Sequence, residues 1–119
     1  MRESEIYRLS KERLRGRWCK QRLHDGAGNV CAVGAVILGG KGSAQVFRAR
    51  AGKFLPSEFI GEVAPHFAYV ECFNDHPGTT EADVLGLFDK VIADAERDEI
   101  IDEAREIVTA EREKECVIA

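Results

Sequence analysis

Proline is scarce in this chain. There are three, Pro56, Pro65 and Pro77, and none after Pro77. The last third therefore carries no residue that forbids a helix. No CxxC pair occurs among the four cysteines, Cys19, Cys31, Cys72 and Cys116, which speaks for free thiols rather than a disulfide or zinc framework. Alternating β-branched runs are also missing, which argues against a sheet protein. Long apolar runs are scarce too. The one long apolar run without charge is Asn29-Val-Cys-Ala-Val-Gly-Ala-Val-Ile-Leu-Gly-Gly40. A bilayer span needs about 20 apolar residues, so this one is a core element. The charged start Met1-Arg-Glu-Ser-Glu5 has no apolar stretch behind it, which sets the expectation of a cytoplasmic protein.

What is present suits one soluble domain. The 119 residues are 45% hydrophobic and 32% charged, enough to bury a core without staples. The net charge of −4 conceals an asymmetry. Residues 1–24 hold eight Lys/Arg against three Glu, whereas residues 94–115 hold ten Asp/Glu against four Lys/Arg. Either the two ends pair with each other, or the polarity steers a partner.

The periodicities predict a mainly α fold of four to five helices, with one short β-hairpin allowed near residues 18–31. Ser4 to Arg15 reads as an amphipathic helix with Ile6, Leu9, Arg13 and Leu14 near one side, Ser4 as cap and Gly16 as stop. The apolar run reads as a buried helix, capped by Asn29 and stopped by Gly39-Gly40. Ala44 to Phe54 reads as a loop or short helix over the core. A helix is expected from Pro56 to about Val63, and a weakly patterned piece follows from Phe67 to Phe73. Asn74-Asp-His-Pro-Gly78 is a turn whose Asn and Asp fix the chain by side-chain bonds. Thr79 or Thr80 then opens a long helix, with Asp83 completing a capping box. Val84, Leu87, Phe88, Val91, Ile92 and Ala95 form its stripe. The stripe breaks at Arg97 and resumes, rotated, with Ile100, Ile101, Ala104, Ile107 and Val108. A helix over residues 80–115 would be about 54 Å long, against a domain diameter of roughly 35 Å. The expected organisation is a helical domain over residues 1–96 and an arm over residues 97–119, which either projects or bends back at Arg97 onto Ile6 and Leu9.

Three landmarks carry a resemblance: Gly16 and Trp18; Gly28-Asn-Val-Cys-Ala-Val-Gly-Ala35; and Phe73-Asn-Asp-His-Pro-Gly-Thr79 before an amphipathic helix. Together they resemble a family of small uncharacterised proteins from actinobacteria and their phages. Its pattern runs Gly-Trp, then Val-Cys-x-x-Gly-Ala, then Trp-Asn-Asp-x-Pro-Gly-x-Thr. Arg17 separates the first pair here, and Phe73 stands in place of the family's Trp. The resemblance covers about residues 5–95. It implies a shared fold unit and a phage or actinobacterial origin, and no activity.

Four chemistries compete on the residues alone. The resumed stripe, Ile100, Ile101, Ala104, Ile107 and Val108, is the leading site, a surface for a second copy or a host protein. The basic segment Arg8, Lys11, Arg13, Arg15, Arg17, Lys20 and Arg22 offers phosphate contacts, with Trp18 to stack a base, although the isoelectric point of about 5.4 opposes this. Cys31, at a helix start that lowers a thiol pKa, offers a hydrolase nucleophile, with His66 or His76 as base and Asn74 or Asp75 to orient it. Cys19, His24, Cys72 and His76 supply zinc-type ligands without zinc-type spacing. Gly39-Gly-Lys-Gly-Ser43 does not match a phosphate loop. No metal and no cofactor is expected.

Overall fold

Thr80 starts the longest helix, against which the Glu3–Leu14 and Ala44–Ala51 helices pack. Its backbone N–H donates to Asp83 Oδ2 at 2.9 Å, and its Oγ1 accepts from the Asp83 N–H at 3.3 Å. That is the expected reciprocal capping box. The structure, a computed structural model, describes residues 1–59 and 67–118. Among them are five α-helices: α1 (Glu3–Leu14), α2 (Ala32–Ala35), α3 (Ala44–Ala51), α4 (Phe67–Asp75) and α5 (Glu81–Ile118). A π-turn, Val36–Gly40, continues α2, and 3-10 turns occupy Gly52–Phe54 and Ser57–Phe59. The remainder of the helix expected to reach Val63 falls on residues 60–66, outside the described residues.

The core is one cluster. Phe47 of α3 sits between Tyr7 of α1, at 5.7 Å between ring centroids, and Phe88 of α5, at 5.1 Å. Val84, Leu87, Phe88, Val91 and Ala95 are buried, as the α5 stripe predicts. Gly86 lies inside this helix without interrupting it. Its cost of about 1 kcal/mol is small beside the burial of its neighbours. The piece from Phe67 to Phe73 is a full helix, ended by Asn74-Asp75 at the predicted turn.

Two local expectations are corrected. The buried face of α1 is Ser4, Tyr7, Ser10 and Leu14, and Leu9 is 45% exposed. The reason is the partner. The α1 helix lies on the Gly39-Gly40 turn so closely that a Cβ on Gly40 would stand 2.4 Å from the Ile6 carbonyl oxygen. Ile6, Ser10 and the Arg13 stem press against that turn, and the missing side chains of its glycines are what let α1 come so close. Ser4 is likewise no cap: its N–H and Oγ donate to Glu99 of α5 at 3.0 and 2.8 Å. The second correction is at α2, whose cap is Cys31 and not Asn29. The Cys31 Sγ accepts the Gly34 N–H at 3.3 Å. Asn29 instead closes a loop with Asp25, whose Oδ1 accepts the N–H groups of Ala27 and Asn29, both at 2.9 Å. The run is buried through Val36, but Ile37 and Leu38 reach solvent.

No helix forms between Arg17 and Leu23. Gly16 and Gln21 both take positive φ, which breaks a helical path. The hairpin allowed near residues 18–31 does not form among the described residues; Val30 makes only two isolated bridges, a parallel one with Trp18 and an antiparallel one with His24.

The charge asymmetry is resolved within the chain. Going back along α1 to Arg2 and forward along α5, Lys11 pairs with Asp89, Arg8 with Glu96, and Arg2 with Glu103. On the other flank, Arg50 of α3 donates to Glu3, to Asp94 at 2.7 Å and to Asp98 at 2.8 Å. Burial works to raise the Glu3 carboxyl, yet the Arg50 guanidinium and Tyr7 hydroxyl hold it below the usual carboxylate range. The Lys53 ammonium does the same for Asp94, with help from Arg50.

Candidate interaction surface

The α5 helix outruns the body it organises. The molecule measures 64 × 33 × 20 Å. The last buried residue on α5 is Ala95, and its last ion pair with the N-terminal segment is at Glu103. From Ile100 to Lys114 every residue is exposed. The helix runs past Arg97 without a break, so the fold-back onto Ile6 and Leu9 does not occur. Helix is maintained beyond the body because extending a formed helix avoids the cost of starting one.

The predicted interaction residues stand on this extension. Ile100 is 65% exposed, Ile107 60%, Val108 47% and Ile101 41%, and Ala104 is exposed among them. At 3.6 residues per turn, this stripe points roughly 160° away from the core stripe of the same helix. It therefore faces away from the core, and only Ile100, at its near end, still borders the α1 side, in a shallow hollow with Arg2, Ser4 and Arg8. The structure brings all five residues together on one face, and none of them joins the apolar core formed by the described residues.

The basic segment is not brought together in this way. Arg8 and Lys11 turn toward the carboxylates of α5. Arg13 donates to the Gly28 carbonyl at 2.8 Å, and Arg15 pairs with Glu12 on its own helix. Lys20 donates to the His76 carbonyl and lies 5.2 Å from the Trp18 ring centre. The Trp18 indole N–H donates to Asn74 Oδ1 at 2.8 Å. Arg17 and Arg22 remain exposed on the loop.

Cys31 is buried beside a small pocket of about 190 Å³ lined by Leu23, Glu71, Asn74 and Asp75. Burial pushes its thiol up, and the Asp75 and Glu71 carboxylates add to this against the Gly34 N–H. The direction is opposite to the one expected from a helix start, because burial outweighs the N–H donors of a helix only four residues long. His76 Nδ1 accepts the Gly78 N–H at 3.1 Å. His66 lies outside the described residues. Cys31 should therefore resist thiol reagents in the folded chain. With the other cysteines replaced, its labelling at pH 8 should be at least ten-fold slower than in denaturant, and rapid labelling would restore the nucleophile reading.

Among the described residues no group of three or more His, Cys, Asp or Glu is placed to hold a metal ion. Also among them, no helix is long and apolar enough to cross a membrane.

Sequence reasoning missed two features. Asn74 is a hub: its Oδ1 accepts from Trp18 and from the Ala32 N–H at 3.0 Å, and its Nδ2 donates to the Cys19 carbonyl at 3.1 Å and to Asp75. Its turn signal announced a local role, while its partners are 42 to 56 residues away. The other is a cleft of about 470 Å³ between Phe59, Phe73, His76 and the first turns of α5. Phe59 packs edge-on against both Phe73 and His76 there. No spacing in the sequence joins these residues.

Comparison with curated proteins gives no match, and comparison with solved structures gives none either. A family model does match, over residues 1–94, the body up to the last buried turn of α5. The chain belongs to that family, described as a family of unknown function (DUF6197).

Proposed function

We propose that this protein acts in the cytoplasm by protein–protein contact, with the body serving as a mount for the α5 face Ile100, Ile101, Ala104, Ile107 and Val108. One observation carries the reading. Four large aliphatic side chains stand in solvent on a single helix face, and the core formed by the described residues does not include them. An apolar face of this kind marks a contact site for another helix. The reading covers both a second copy and a foreign protein. A photo-reactive residue at position 107, introduced in producing cells, tests it. Adducts to protein are expected from position 107 and not from position 113, on the opposite side of α5. Equal yields from both positions, or none from either, would refute it.

A further inference from the structure

The occupant of this face can be read from its symmetry. Ala104 stands at the centre. Ile101 and Ile107 lie three residues to either side, and Ile100 and Val108 lie four to either side. These are the spacings of one helix face. The pattern thus reads the same in both chain directions, with the smallest side chain in the middle. Seven residues from Ala104, still on the line of the stripe, stand Arg97 on one side and Glu111 on the other. Along the stripe, shape is symmetric about Ala104, and the charges of the Arg97 and Glu111 pair are opposite.

A surface with both properties is complementary to itself under a two-fold rotation. In an isologous contact, residue i meets j and j meets i. We propose that the α5 arm pairs antiparallel with the arm of a second copy, with the two-fold axis at Ala104. Ile100 then meets Val108, Ile101 meets Ile107, and Ala104 meets itself. Arg97 meets Glu111 at both ends. The proposal rests on the reading of the arm as a contact face and names its partner.

Two further observations favour a second copy. The acids that would repel a like-charged partner are largely neutralised within the chain, since Asp94, Glu96, Asp98 and Glu103 already pair with Arg50, Arg8 and Arg2. Beyond them, residues 104–118 hold four Glu against three Lys/Arg and are close to neutral. The stripe also faces away from the body. An antiparallel partner therefore puts the two bodies at opposite ends and on opposite sides of the helix pair, clear of each other. The contact is short, which places it with weak, concentration-dependent dimers.

Sedimentation of the purified full-length chain from 1 to 300 µM, with circular dichroism of each variant, tests this. The mean mass should rise from one chain to two across the series. Ile101→Asp should hold it at one chain without changing the melting temperature, since residue 101 lies outside the core. Glu111→Arg should weaken the dimer about ten-fold, and Arg97→Glu combined with Glu111→Arg should restore it. A parallel pair keeps residues 97 and 111 far apart, so it gives no rescue. A single-chain mass at every concentration would overturn the proposal while leaving face-specific adducts to foreign proteins possible. A dimer that survives Ile101→Asp, or one without rescue by the charge exchange, would overturn it as well.

Discussion

Asn74→Ala should cost this protein about 3 to 5 kcal/mol, measured by denaturant unfolding. The amide joins three segments: the Trp18–Cys19 loop, the first turn of α2 and the end of α4. Alanine leaves the Trp18 indole N–H, the Ala32 N–H and the Cys19 carbonyl without their partner. Each unsatisfied buried group costs about 1–3 kcal/mol, less where water can enter. Domains of this size are stable by about 5–15 kcal/mol, so a large share of the total is at stake. Asn74→Asp should also destabilise, because a carboxylate cannot donate to the Cys19 carbonyl and would stand beside Asp75. A loss below 1 kcal/mol for Asn74→Ala would show that the three segments are held by something else.

Two glycine substitutions should have opposite signs. Gly34 lies in α2 beneath the Leu23 carbonyl, and a Cβ there would stand 1.9 Å from that oxygen. Backbone meets backbone, so no rotamer relieves the contact. Gly34→Ala should lower stability by about 3 kcal/mol, at the upper end of the cost of overpacking, or prevent folding. Gly86 lies in α5, and a Cβ there would meet nothing within 4 Å. Gly86→Ala should raise stability by about 0.5–1 kcal/mol through helix propensity alone. Thermal unfolding of the pair decides the point. A tolerated Gly34→Ala would mean that the loop over α2 is free to lift.

These residues also show what can be read in a sequence. The start of α5 was legible, because a capping box and its stripe depend on neighbours a few positions apart. So was the rotation of the stripe after Arg97, since helical phase is a matter of counting. The buried face of α1 was not legible. Ser4 and Ser10 look like surface residues until their partners are in place: Glu99 of α5 on Ser4, and the Gly39-Gly40 turn, close because its side chains are missing, on Ser10. Cys31 as a cap was equally hidden. Asn29 is the better cap by type, but Asp25 claims it first. The apolar stripe of α5 beyond Arg97 was legible as five positions, and its exposure was not, since an identical stripe could have closed against α1.

One consequence follows from α5 being a single uninterrupted helix. The heading of the exposed face relative to the body is recorded in a number of residues, as on a dial. One residue inserted after Glu99 would turn everything beyond it, the whole stripe included, by about 100° and carry it about 1.5 Å outward. Four inserted residues would bring it back to within about 40° of its first bearing, one further turn away. The core of the body would be untouched by either change. Where this protein points its arm, and how far out, can thus be altered by insertion or deletion without any change to the fold that holds it.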